Sequence, residues 1–305
     1  MDRRIGIVVR FHSNMLDVQD EKTGVRYTCT LRGKFKMQKI RPVVGDIVEY
    51  IAFNDSKGRI ENILPRKNRL KRPGVANIDQ VILVGTVKHP DFSYLIYDKF
   101  LVLAEKEEVE IIFVFNKCDL ISEEELSFMK PYLEFLENHY TVLFTSAKTG
   151  KGIDDLKRIM NGRISTMAGM SGVGKSTLLN AIDPQLKLKE GNLSVQLERG
   201  KHTTTYSELL SVEGSGLVAD TPGFSFLSVE KIKPDELKFY FPDFIGKSHE
   251  CYFKNCMHLD EPDCAVLNSV EGGEILESRY FNYLSMLCEI DNEYDKFLQL
   301  MKNRV

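Results

Sequence analysis

The stretch that most constrains the fold is GMSGVGKST at 169–177. It satisfies G-x-x-x-x-G-K-[ST], follows the apolar run RISTMA and opens the helix-like LLNAI. That order, strand, glycine-rich loop, helix, is the context in which a phosphate-binding loop works. Gly169, Gly172 and Gly174 let the backbone turn inward, so N–H groups of Met170, Ser171, Val173 and Thr177 can approach phosphate oxygens. The helix start adds its positive dipole end. Lys175 is expected to reach the β- and γ-phosphates, and the Ser176 hydroxyl to ligate Mg²⁺.

The loop implies a nucleoside triphosphate without naming its base. FNKCDL at 115–120 contains N-K-x-D, and its strand-like VEIIFVF approach puts it at a strand end, where open α/β sheets bind ligands. Guanine presents two adjacent donors that the Asp119 carboxylate can accept together, whereas adenine offers an acceptor there. Asn116 is placed to tie the binding loops together, and the Lys117 stem to cover the base plane. At the next strand end, TSAK supplies Ser146, Ala147 and Lys148, with the Ala147 N–H aimed at guanine O6.

Downstream, ERGKHTTT reads as a switch segment. Thr204 is the favoured Mg²⁺ ligand, with Thr203 and Thr205 as open alternatives. SGLVADTPG ends in D-x-x-G, so Asp220 is expected to hold Mg²⁺ through water and the Gly223 N–H to meet the γ-phosphate. Phe224 follows where a water-orienting glutamine often stands, leaving His202 as the nearest candidate for that work. The base-reading motifs precede the phosphate loop, the reverse of the usual order. This predicts a GTPase sheet opened after DTPG and rejoined, that is, circularly permuted.

The flanks carry other chemistry. Residues 1–72 hold 17 Lys and Arg against 8 Asp and Glu, whereas the remainder is acidic and the whole chain nets −3. Only this first segment has the sign for phosphate backbones, so RNA contact is expected there. RIGIVVR, MLDVQD, VRYTCTLRG, DIVEYIAF and GRIENIL read as five short strands, suiting an OB-type barrel, with an SH3-like barrel as competitor. PRKNRLKRPG reads as a basic linker. From 79 onward, strands alternate with helices, implying a mostly parallel sheet. Pro131 is expected to kink or split the helix over 122–139.

CYFKNCMHLDEPDC places Cys251, Cys256, His258 and Cys264 in C-x4-C-x-H-x5-C spacing. Three thiolates and an imidazole make a closed tetrahedral shell for one structural Zn²⁺, supplying folding free energy to a module with limited core. The other cysteines, 29, 118 and 288, call for no redox chemistry. No apolar run approaches the roughly 20 residues that span a bilayer, and no signal peptide is evident. A cytoplasmic monomer is expected.

These motifs together resemble the circularly permuted, ribosome-small-subunit-dependent GTPases of the RsgA or YjeQ family. The resemblance implies an assembly factor that binds the 30S subunit and its 16S rRNA, with subunit-stimulated hydrolysis of GTP to GDP and a catalytic switch histidine matching His202 beside Lys175. The implied division is an OB-fold RNA-binding domain at 1–68, a permuted GTPase domain at 69–229, and a zinc-finger and helical domain at 230–305. A rival is a GTP-gated RNA-binding module with negligible turnover, which the missing glutamine favours. A second is an ATP-driven RNA factor.

Overall fold

The structure, a computed structural model, describes residues 3–12, 15–33, 35, 41–71, 74–189, 208–220 and 228–302. Five strands open the chain: β1 (Arg4–His12), β2 (Met15–Asp20), β3 (Arg26–Leu31), β4 (Ile47–Ala52) and β5 (Lys57–Ile63). β1 pairs with both β2 and β4, β3 runs parallel to β5, and β4 is antiparallel to β5, so the strands close into a barrel. Closure follows from period-two patterning: Leu16 and Val18 on β2, Val48 and Tyr50 on β4, and Ile60 on β5 point inward and are fully buried.

The described part of the expected linker holds more specific structure than its composition suggests. β6 (Arg69–Lys71) pairs with β7 (Gly74–Ala76), and Arg66 grips the buried Asp46 carboxylate at 2.6 and 2.9 Å. Asn77 bonds from its side chain to the Gly45 carbonyl at 2.9 Å. Basic composition concealed these specific partners.

A parallel sheet follows: β8 (Gln80–Gly85), β9 (Glu110–Phe115), β10 (Thr141–Phe144), β11 (Arg163–Ala168) and β13 (Gly216–Asp220), with β12 (Glu208–Val212) antiparallel to β13. Spatial order is β10-β9-β8-β11-β13-β12. The sheet is buried on both faces, so β8 and β9 are nearly continuously apolar. Val81, Leu83, Phe113 and Phe115 face α1 (Tyr94–Lys106) and α2 (Glu123–His139). Ile82, Val84, Ile112 and Val114 face α3 (Ile153–Met160) and α4 (Lys175–Ile182).

Pro131 does not split α2. Ser122 and Glu125 form a reciprocal capping box at its start, and Met129, Tyr132, Leu133, Phe135 and Leu136 bury one face on both sides of the proline. Pro131 itself lies on the exposed face, where water can satisfy the carbonyl it leaves unpaired.

The C-terminal helices α5 (Pro234–Leu237), α6 (Pro242–Ser248), α7 (Ala265–Glu271), α8 (Glu277–Ile290) and α9 (Asp295–Lys302) pack around Phe241, Phe244, Tyr280 and Tyr283, together with Val102 of α1. The seam with α1 and α2 holds a fully buried Arg279. Its guanidinium bonds to Asp98 at 2.7 Å and to Asp243 at 2.7 and 3.1 Å, and lies 4.0 Å from the Phe135 ring centroid. Tyr132 and Asn282 donate to the Asp98 oxygens, each at 2.7 Å.

Candidate nucleotide site and metal centre

The parallel strands all end at one edge, which brings the motifs together across the order of the chain. Asn116 follows β9, Thr145 follows β10 and Gly169 follows β11. Asn116 is almost fully buried; its amide nitrogen donates to the Val173 carbonyl at 2.8 Å. Its amide oxygen accepts from the Thr145 hydroxyl at 3.3 Å and the Ala147 N–H at 3.4 Å. One side chain thus joins the loops after β9 and β10 to the glycine-rich loop after β11.

Lys117, in left-handed backbone, bonds through Nζ to the Gly172 carbonyl at 2.7 Å and to the His89 carbonyl. The Ser146 hydroxyl donates to Asp119 at 2.6 Å, holding that carboxyl below its ordinary range and so ionised for a pair of donors. The Ser146 hydroxyl also accepts from the Thr149 N–H at 3.1 Å, bracing the S-A-K turn whose third residue is Lys148.

Two glycines of the phosphate loop are required by geometry. At Gly174, φ is +95° and a Cβ would stand 2.5 Å from Asn116 Nδ2; at Gly169, φ is +137° and a Cβ would meet the Val84 carbonyl at 2.1 Å. Lys175 bonds through Nζ to the Gly169 and Met170 carbonyls, each at 2.9 Å, and burial pulls its ammonium down to about 8. Ser176 is buried at the start of α4, whereas Ser171, Gly172 and Thr177 are exposed. Asp220 closes β13. His202, Thr203, Thr204, Thr205 and Gly223 lie outside the described residues.

The turn after β8 escaped the motif reading because its contribution is a backbone carbonyl. His89 accepts from Lys117, and the Thr86 hydroxyl anchors the turn on the Pro90 carbonyl at 2.8 Å. No residue-type pattern signals such a contact.

Matches to known proteins agree with this geometry. A family model described as "RsgA N-terminal domain" matches residues 5–60, and one described as "RsgA GTPase" matches residues 63–230. The chain belongs to the RsgA GTPase family. A relative from Thermotoga petrophila, described as small ribosomal subunit biogenesis GTPase RsgA, is 55% identical across 94% of this chain and 97% of its own. One from a Geobacillus species, described in the same words, is 46% identical across 90% and 94%. The crystal structure of YjeQ from Thermotoga maritima superposes with a TM-score of 0.85 at 52% identity, covering 95% and 99% of the two chains. YloQ, titled a circularly permuted GTPase, gives 0.82 at 37% identity, covering 96% of each chain.

Among the C-terminal helices, the Sγ atoms of Cys251, Cys256 and Cys264 and a ring nitrogen of His258 all lie within 4.8 Å of one another. Cys251 Sγ is 3.9 Å from Cys264 Sγ and 3.7 Å from His258 Nδ1, and His258 Nδ1 is 3.3 Å from Cys264 Sγ. Tetrahedral zinc with bonds of about 2.3 Å to sulfur sets sulfurs about 3.8 Å apart, so the group fits that ion. Burial lowers the His258 imidazolium to about 4, leaving a neutral ring as a metal ligand requires, and raises the thiols of Cys256 and Cys264. The buried thiols of Cys256 and Cys264, the half-buried Cys251 and one neutral imidazole make a pocket that a cation completes.

Supporting groups were not legible from the ligand spacing. Glu261 accepts from the Met257 and Leu259 N–H groups at 2.5 and 2.8 Å, bracketing the left-handed His258. Tyr280 and Tyr283 of α8 bond to the His258 and Met257 carbonyls, each at 2.8 Å, and Lys238 to the Cys256 carbonyl at 2.8 Å. The acidic residues Asp260, Glu261 and Asp263 within the segment gave a signal that did not single out Glu261.

Proposed function

We propose that this chain hydrolyses GTP on the small ribosomal subunit during its biogenesis in the cytoplasm. The bond from Asn116 to the Val173 carbonyl carries the reading, because it makes base recognition and phosphate binding one construction. Asp119 reads guanine, the Lys117 stem covers its plane, and the Ala147 N–H meets O6. Lys175 exchanges its two loop carbonyls for β- and γ-phosphate oxygens. Ser176, Thr204 and Asp220 would hold Mg²⁺, which would neutralise charge on the phosphates. The Gly223 N–H meets the γ-phosphate and His202 orients water. Electrostatic stabilisation by Lys175 and loop N–H groups supplies most of the acceleration.

The division at 68 and 229 separates an RNA-binding barrel, the GTPase domain and a zinc-held module. The basic balance of the barrel supports contact with 16S rRNA, and Cys251, Cys256, His258 and Cys264 hold one structural zinc. A monomer suffices for all of these roles.

GTP turnover measured with and without purified 30S subunits tests this. Stimulation of about tenfold or more is expected from the class of in-trans transition-state stabilisation. Turnover that stays negligible with subunits supports the GTP-gated binding module instead. His202→Ala should retain GTP binding and lose stimulated turnover; a normal rate removes His202. Equal displacement of labelled GTP by ATP overturns the guanine assignment.

A further inference from the structure

The barrel and the GTPase sheet are one hydrogen-bonded surface, joined at the end of β1. Arg10 stands opposite Asp17 within the barrel and opposite Glu208 outside it. Glu208 stands opposite Asp220, the last residue of β13 and first of DTPG. A single lateral row, Asp17–Arg10–Glu208–Asp220, therefore crosses four strands from the barrel to the motif assigned to magnesium.

Side chains reinforce the seam. The Ser211 hydroxyl on β12 donates to Gln19 of β2 at 2.9 Å and accepts from Arg26 of β3 at 3.1 Å. Arg10 Nε lies 3.5 Å from a Glu208 carboxylate oxygen. Below them Val9 and Leu209 are fully buried in one cluster. The barrel's second attachment is elsewhere, through Arg66–Asp46 and Asn77–Gly45 on the chain entering β8. By contrast, the C-terminal module is locked to α1 and α2 through the buried Arg279, whose loss would strand two carboxylates.

We propose that the β12–β13 hairpin is the route by which subunit contact at the barrel reaches the hydrolytic site, with Ser211 and Gln19 as positioning residues. Its use in stimulation rests on the GTPase reading above. In sequence the hairpin joins the candidate switch segment ERGKHTTT to DTPG, so γ-phosphate contacts made at either end bear on it. Hydrogen-bonded strands shift together, so a displaced β12 tilts the barrel about its second attachment. Coupling is reciprocal: RNA that favours one barrel position favours the matching hairpin position. The C-terminal module, fixed to the base-reading half, serves as the stationary arm.

Two measurements on the full, zinc-loaded chain test this. The first is amide hydrogen exchange over residues 4–31 with GDP and with a non-hydrolysable GTP analogue, without ribosomes. Protection of β1 and β2 should change with nucleotide, Ser211→Ala should shrink the difference about threefold, and Ser211→Thr, which keeps the hydroxyl, should retain it. A barrel indifferent to nucleotide overturns the proposal. The second is GTP turnover at saturating 30S subunits. Ser211→Ala and Gln19→Leu should keep basal turnover and subunit affinity while losing about fivefold of the stimulation, with Ser211→Thr again close to wild type. Unchanged stimulation in both variants overturns the proposed route. Nucleotide-dependent exchange in a wild type that subunits do not stimulate supports the coupling and sinks the subunit-stimulated reading.

Discussion

Asn116 Nδ2 donates to the carbonyl oxygen of Val173 at 2.8 Å, across 57 positions of sequence. The same side chain accepts from Thr145 and Ala147, so three loops depend on one buried amide. Asn116→Ala leaves these partners unsatisfied at about 1–3 kcal/mol, which corresponds to a loss of GTP affinity of roughly 5- to 150-fold. Fluorescent-nucleotide titration checks this; affinity within twofold of wild type would contradict the tie.

Lys175 gives a pH signature. Its folded ammonium titrates at about 8, below its usual 10.5, because burial disfavours charge. Across that window the unfolded chain binds more protons, so the Lys175 contribution to ligand-free stability improves as pH rises. Phosphates impose the opposite demand by favouring the ammonium, so GTP binding should take up a proton above pH 8. Calorimetry in two buffers of different ionisation enthalpy reads that proton, and Lys175→Met should abolish the uptake.

Arg279 is the costliest single contact to break in the C-terminal seam. Arg279→Met strands Asp98 and Asp243 and should destabilise the fold by about 3–5 kcal/mol. Adding Asp98→Asn should recover part of that loss. Urea unfolding of the single and double variants checks the sign, and a single variant as stable as wild type would contradict the assigned role.

Cys256→Ser should remove the bound zinc and raise hydrogen exchange over 251–264. GTP affinity should stay within about twofold, since the cluster is separate from the nucleotide loops. Metal analysis that still finds one zinc per chain would count against the ligand set.

What was legible in the sequence follows from how each contact is encoded. The nucleotide loops were readable because their chemistry demands fixed residue types at strand ends. Asn116 could therefore be assigned as a tie before Val173 was known as its partner. The gathering of Cys251, Cys256, His258 and Cys264 was readable for the same reason. Arg279 was not: a charge in the amphipathic stretch of α8 reads as a solvated face, and only tertiary packing surrounds it with Asp98, Asp243 and Phe135. Pro131 does not split α2 because helix propensity is local, whereas the apolar face that holds α2 together is tertiary. The contacts of Arg66 and Asn77 depend on Asp46 and Gly45, about twenty to thirty residues upstream, beyond the reach of a reading by composition.

The barrel's closure also sets an order of events during synthesis. The pairings that close β1 to β5 on one another are made among residues up to Ile63, so the barrel closes while most of the chain is still to be made. The loop carrying Asn116 emerges next and waits for Val173, and β1 waits longer for Glu208. A nascent chain therefore acquires its basic surface well before it can hold a nucleotide. The permutation thus separates, in time as well as in sequence, the completion of the basic barrel from the gathering of the loops around Asn116.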